Sequence, residues 1–489
     1  MKNGRPAPAR LALALACAIA APAFAAQHGI IKADIDTSAK PCDDFFQYAN
    51  GAWRKSNPIP DYMDRWSRRW QSGETNKEHV RDILTEVSAK QDWAKGSAEQ
   101  LSGDFYAACM NEEAANALGA KPVQPWLDDI AATKDRAGIE KMIGRLHDVG
   151  VAVPFAIFAQ EDLHDPSQTI AHVYAGGLGM PDRDYYIKDE PRFVEARAKY
   201  LVHVAKMFEL AGEKPADAKK HADTVFAFEK RLAEASLDNV ALRDPKLQDN
   251  MTAFADLEKS APHFAWGAYF DAAKMPKDAL NVTQPKFLAQ VDKELASTPV
   301  ADWQVYLQWH VLNAAADSLS QAFVDENFEF NGRFLSGAKT IKPRAIRCAE
   351  STDNLLGEAL GKAYVAKYFP PEAKARMEEM VKNILLAMDD TIKGLEWMDA
   401  DTKKKALEKR ASYMPKIGYP DKWKDYKGVV VTRDSYFDDI MSASKWFIAD
   451  NRAQVGKPTD RTRWGMTPPT SNAYYNPLQN EIVFPAAIM

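Results

Sequence analysis

Between residues 193 and 208 the apolar side chains Phe193, Ala196, Tyr200, Leu201, Val204, Met207 and Phe208 recur every three or four positions. That spacing gathers them on one face of an α-helix; a strand, whose faces alternate every second residue, would scatter them. Gly212 is a fitting stop. Val225, Phe228 and Leu232 begin a second stripe, and a long amphipathic stretch runs from Met377 to Trp397. All three stripes are read as core. Strand signals are few: residues 151–158, residues 170–174, Val429-Val430-Val431 and the end of the chain. The expected fold is mainly α. At 489 residues the chain is too long for one compact core, so two lobes are expected. No internal repeat or low-complexity tract is visible.

The first 25 residues have the form of an export signal. Lys2, Arg5 and Arg10 make a basic start, residues 11–21 an apolar run, and Ala23-Phe24-Ala25 a cleavage site. The run is too short to span a bilayer, and no later stretch reaches transmembrane length. The expected location is a periplasm or the cell exterior. Cleavage removes three of the 63 basic and none of the 68 acidic residues, moving the formal charge from −5 to −8. That balance excludes nucleic acid and anionic membrane surfaces as expected partners. Lys403-Lys404-Lys405 reads as a solvated helix face. Cys17 leaves with the signal, so Cys42, Cys109 and Cys348 remain. In an oxidising compartment two pair and one is left over; counting alone does not say which.

The last eighteen residues read as a turn and a short strand. Asn476-Pro477 is the turn, and Ile482-Val483-Phe484 has strand composition. Pro485 cannot donate to a ladder, so this strand is expected at a sheet edge or to stop there. Asn472-Ala473-Tyr474 forms a second extended piece with exposed backbone, onto which a peptide can add as a further strand.

This segment resembles the peptide-holding strand of the neprilysin-like zinc metallopeptidases, family M13, where Asn-Ala-Tyr/Phe precedes a turn and an I-V-F-P-A run. Other stretches resemble the family in its own order. They are Pro41-Cys42-Asp43-Asp44-Phe45-Phe46 through Trp53 with Ile59-Pro60, and Phe105 to Asn111 around Cys109. Next come Leu178-Gly179-Met180-Pro181-Asp182-Arg183-Asp184-Tyr185-Tyr186, Arg243-Asp244-Pro245 and Asn250-Met251-Thr252. Ile346-Arg347-Cys348-Ala349, Trp397 to Lys404 and Ile417-Gly418-Tyr419-Pro420 complete the set. In the opening signature Phe45, Phe46 and Ala49 share one side of a helix stopped by Gly51.

The resemblance implies four things about sites. Cys109 and Cys348 match a family disulfide. Cys42 is then the leftover thiol, whose family counterpart bonds to the C-terminal catalytic region. Arg65 stands where the family has an arginine that reaches the far end of a bound peptide, with a planar fork suited to a carboxylate. A second family arginine falls near Gly73, a departure. Asn472 through its amide, and Ala473 through its carbonyl, would hold substrate. The implied organisation is a signal (1–25), a segment packing on the catalytic lobe (26–53), a helical domain (54–425) and the start of the catalytic domain (426–489). This is a large multi-helical lobe with a small, incomplete α/β piece of the catalytic lobe.

A zinc peptidase needs three protein ligands and an open position, which H-E-x-x-H supplies in part. Of the nine histidines, no two stand four residues apart and none precedes Glu. The three remaining cysteines form no C-x-x-C, and there is no G-x-S-x-G elbow. Gly176, Gly177 and Gly179 miss the G-x-G-x-x-G pattern and are read as a structural turn. The expectation is therefore the N-terminal portion of an exported zinc metalloendopeptidase, ending before its zinc motif. Zinc belongs to the complete enzyme, and no catalytic or metal-binding residue is assigned in this chain. The expected partners are a peptide substrate and the missing C-terminal catalytic region. The alternative is a non-catalytic module, a peptidase relic, that captures peptides or partners on the edge from Asn472 to Phe484.

Overall fold

The structure, a computed structural model, describes residues 30–489; the export signal expected at residues 1–25 lies outside the described residues. Contacts divide the chain after Ile59.

The first unit is built on α1 (Phe45–Ser56). Asp44 caps it by accepting from the Gln47 N–H at 2.8 Å, satisfying one donor that a helix start leaves free. Gly51 does not stop this helix, contrary to the sequence reading; it lies inside it. A Cβ there would stand 2.7 Å from Asp36 Cβ, so the residue serves close packing. Phe45 and Phe46 are exposed.

The second unit, Pro60–Met489, has two cores. Its elements include α2 (Arg68–Ser88), α3 (Ala98–Met110), β1 (Phe155–Glu161), β2 (Gln168–Ala175), α4 (Pro191–Leu210) and α5 (Pro215–Ala235). There follow β3 (Met251–Thr252), β4 (Leu280–Val282), α6 (Val300–Ala315), α7 (Arg344–Tyr368), α8 (Pro371–Gly394), α9 (Ala400–Ala411) and β5 (Met414–Gly418). The last are α10 (Tyr436–Arg452), β6 (Lys457–Pro458), β7 (Tyr474–Asn476) and β8 (Glu481–Pro485). Helices dominate and strands are few, as the periodicity indicates.

The larger core packs α4, α5 and α6 beside a sheet in which β1 pairs antiparallel with β2 and β2 parallel with β4; β3 extends β4, and β6 pairs with β2. The helical stripe that opens the sequence analysis lies on α4, with Phe193, Tyr200, Val204, Met207 and Phe208 buried. Glu229, fully buried on α5, accepts from Tyr186 Oη (2.8 Å), Tyr200 Oη (2.7 Å) and Trp309 Nε1 (3.2 Å). A buried carboxylate without such donors would cost several kcal/mol. The loop with Gly177 and Gly179 is a structural turn here: Cβ atoms at these positions would lie 1.9 Å from the Tyr306 and Tyr200 hydroxyls.

The smaller core packs α2, α3 and α7. Val80, Leu84, Phe105 and Tyr106 meet Leu356, Leu360 and Tyr364. The Cys109–Cys348 disulfide ties α3 to α7 across 239 residues of sequence, while Cys42 is free and exposed.

Two sequence readings give way here. Val429-Val430-Val431 forms no strand. Val429 and Val431 are buried, but the backbone N–H of Val430 goes to Ser442 Oγ and that of Thr432 to Asp439 Oδ1, both on α10. Side chains there take the donors that a strand partner would need. The stripe of residues 377–397 is helical but mostly not core. Of the 24 residues of α8 only Val381 and Ile392 are buried, because its neighbours are α9, which buries nothing, and the short strand β5.

Reduction of the Cys109–Cys348 bond is expected to lower stability by roughly 2–4 kcal/mol, since a long closed loop restricts the unfolded chain most. Urea unfolding with and without reductant checks this, the reduced midpoint falling; coincident midpoints would show that the bond carries no stability.

Candidate functional site

The end of the chain folds into a three-stranded sheet in the order β5-β8-β7. β5 and β8 are parallel, with Met414 opposite Glu481 and Gly418 opposite Pro485. β7 is antiparallel to β8, with Tyr474 opposite Val483 and Asn476 opposite Glu481. Ile482-Val483-Phe484 is therefore the central strand and not the edge; Pro485 is tolerated because it is the last residue of the ladder. The edge is β7, and Asn472 and Ala473 lead into it ahead of its first paired residue.

One buried ion pair fastens this sheet. Lys416 Nζ stands 2.5 Å from Glu481 Oε2, with both side chains at most 6% exposed, and donates to the Arg463 carbonyl at 2.7 Å.

Helices position the approach to β7. Asn76 on α2, buried, donates to the Pro469 carbonyl at 2.6 Å and accepts from Tyr364 Oη on α7 at 2.6 Å. Thr467 Oγ1 donates to Asp353 Oδ1 of α7 at 2.7 Å. Gly357 lets this loop lie against α7, since a Cβ there would be 2.3 Å from Thr467 Cγ2.

The strand approach lies between two cavities. One, of about 450 Å³, is lined by Arg69, Trp70, Gly73, Lys77, Asp353 and Asn472, among others. The other, of about 460 Å³, is lined in part by Tyr474, Asn476, Glu161 and Arg463. A larger cavity of about 770 Å³, between α8 and β5, includes none of the expected site residues.

The first cavity carries the distinctive electrostatics. Lys77 bridges Glu74 and Glu350 at 2.6 Å each. Burial opposes its charge, but the hydrogen bonds to Glu350 and Glu74 outweigh burial and hold its pKa above the usual lysine value. Burial likewise opposes the Glu350 charge, and the bond from Lys77 with the field of Lys342 outweighs it, so its pKa is lowered. Asp353 goes the other way. Burial pushes it up to about 6, with the Glu350 charge adding to the rise and the Thr467 hydroxyl opposing it.

Of the residues expected from sequence, Asn472 lines this cavity, and Ala473 follows it directly ahead of β7. Arg65 does not line it: its guanidinium pairs with Asp64 at 2.6 Å, lies over the Trp70 ring and is 65% exposed. The arginine that touches Asn472 is Arg69, whose Nη2 donates to Asn472 Oδ1 at 3.1 Å. Sequence reasoning missed it, although Arg68-Arg69 directly after a Ser cap was a visible signal. Asp353 and Asn76 gave no signal of their own.

Among the described residues no group of three or more His, Cys, Asp and Glu stands where it could hold a metal ion. No helix among them is long and apolar enough to cross a membrane.

This helical body with its small terminal sheet is a fold seen in a solved zinc metalloprotease. The crystal structure of Mycobacterium tuberculosis zinc metalloprotease ZMP1 in complex with inhibitor superposes with a TM-score of 0.87 at 34% identity, over 94% of this chain and 70% of that one. The chain belongs to peptidase family M13, whose profile matches residues 41–420. Endothelin-converting enzyme 1 of Rattus norvegicus is 29% identical over 93% of this chain and 62% of its own length. Neprilysin-3 of Drosophila melanogaster is 28% identical over 93% of this chain and 61% of its own length. The chain thus spans less than two thirds of these curated relatives.

Asp353 yields a pH prediction. Its folded pKa, about 6, lies above the ordinary 3.8, so the unfolded chain loses this proton first. The stability tied to it is present below about pH 4 and lost as pH rises through about 6. Asp353→Asn should therefore gain on the wild type by on the order of 2 kcal/mol between pH 4 and 7. Urea midpoints of both proteins across that range test it; a difference that does not vary with pH would refute it.

Proposed function

We propose that this chain is the substrate-holding portion of an exported M13 zinc metalloendopeptidase that cleaves peptides. The observation that carries the reading is the strand approach: Asn472 and Ala473 lead into the edge strand β7 between two cavities, in a chain of this family. An extended peptide pairs there as an added strand, its backbone bonded by the Asn472 amide and the Ala473 carbonyl. These groups break no bond. They fix the peptide's register and direction, which lowers the entropic part of the barrier for whatever group attacks it.

Zinc, where bound, would polarise a carbonyl and activate a bound water. The described residues do not fit that ion, since no ligand group is gathered among them. These residues bind and orient the peptide. The reading includes export by the first 25 residues, and Cys42, exposed and free, as a bonding point for the remainder of the enzyme.

Two outcomes follow. The purified 489-residue chain should hold no stoichiometric zinc by elemental analysis and show no chelator-sensitive peptide cleavage; such cleavage would overturn the assignment. It should bind short unstructured peptides measurably by fluorescence anisotropy, and Asn472→Ala should weaken binding by roughly fivefold or more, the loss of one or two hydrogen bonds. Equal binding by the variant would remove Asn472 from the site.

A further inference from the structure

Glu161 breaks a local rule. Side chains of a strand alternate, so Phe155, Ile157, Ala159 and Glu161 of β1 share one face, and Phe155 and Ile157 are buried in the larger core. A carboxylate thus closes an otherwise apolar row. Residues that break a local pattern without an evident gain tend to mark functional sites.

The surroundings leave that charge uncompensated. Glu161 lines the cavity of about 460 Å³ beside β7. The other carboxylates there are provided for. Asp450 pairs with Arg463, Glu358 with Lys424 at 3.4 Å and Glu481 with Lys416, while Asp460 accepts from the Thr462 hydroxyl at 2.6 Å. Among the described residues no cation pairs with Glu161; its Oε1 accepts from the side-chain amides of Gln479 and, at 3.4 Å, Asn476. Gln479 lines the same cavity, and its Oε1 is buried without a donor among the described residues. A buried acceptor in that state calls for one.

The open edge brings a peptide to these acceptors. β7 is bonded to β8 alone in its sheet, so its other edge is free. Tyr474 and Asn476, two residues apart, share the face that lines the cavity. In a peptide added to that edge, the residues opposite them project from the same face, with Cβ atoms about 5 Å away across the strands.

We propose that Glu161 selects a cationic group of the bound peptide, an ammonium or a guanidinium, with Gln479 Oε1 as the second acceptor. Such groups carry only donors, three on a lysine and five on an arginine, so one head group serves both oxygens. The amides of Asn476 and Gln479 steady the carboxylate through Oε1 and leave Oε2 for a charge-assisted bond. A Lys or Arg side chain and a peptide N-terminus offer the same chemistry. The inference rests on the reading that peptide pairs with β7.

The experiment uses the full chain and hexapeptides carrying fluorescein at the C-terminus. The N-terminus is free or acetylated, and Lys, Arg or Gln is placed at each internal position in turn. Dissociation constants are measured by anisotropy at low and at high salt. The wild type is expected to bind the best-placed cationic peptide roughly five- to tenfold more tightly than its neutral counterpart at low salt, less at high salt, where charges are screened. The form that carries the preference identifies its source. Glu161→Gln, which keeps the shape and one acceptor oxygen, should bring the ratio to about one while neutral peptides still bind. Asp460→Asn should leave the ratio. A ratio near one in the wild type, a ratio unchanged in Glu161→Gln, an equal loss of all peptides in that variant, or a ratio lost in Asp460→Asn would each overturn the role given to Glu161. Failure of the wild type to bind any peptide would overturn the peptide-holding reading and this inference with it; binding without preference would overturn the inference alone.

Discussion

The buried pair of Lys416 and Glu481 governs the terminal sheet. A lone ammonium or carboxylate at that depth would cost several kcal/mol, so each charge requires the other. The two residues lie on adjacent strands, Lys416 two positions beyond the residue facing Glu481. A slip of one residue would turn one of them to the opposite face and leave both uncompensated. The pair thus selects one register for β5 on β8. β7 has no partner but β8 in the ladder, and so takes its place from the same choice. Asn472 and Ala473 inherit their positions at the end of that sequence.

The helices contribute a second kind of constraint, applied to the loop before β7. Asn76 and Thr467 tie it to α2 and α7 through bonds with buried or half-buried partners. Those helices are packed on one another and on α3, which the 109–348 disulfide joins to α7. The strand approach therefore rests on a rigid frame at its start and on a ladder at its end. Groups that orient a substrate need that kind of support, because errors of about 1 Å are costly in binding and catalysis.

Much of this was legible in the sequence. The stripe of α4 gave a buried helix because its apolar spacing matches one helical face, and tertiary packing agreed with it. The extended approach at Asn472 and Ala473 was legible because it precedes an obvious turn, whereas the peptide-holding role proposed for it came from the family resemblance alone. The misses share a cause. Val429-Val430-Val431 has strand composition, yet its donors meet side chains of α10 that no local pattern reveals. Pro485 left an edge or a stop open; it ends β8, while pairing with β5, 67 residues earlier in register, makes that strand central. Asp353 acquires its unusual acidity from burial under a loop more than a hundred residues away in sequence. Local propensity reads the periodic elements; it does not read which distant atoms arrive to complete a donor, an edge or a cavity.

The open face of α8 has a chemical consequence. Met380 and Met388, 46% and 51% exposed, flank Ile384 on one helical stripe. Thioethers at that exposure are open to peroxide, and each sulfoxide formed would replace an apolar contact surface with a polar, chiral one. In an oxidising environment the character of this face would drift with the age of the molecule, while the Cys109–Cys348 disulfide, already oxidised, would not change.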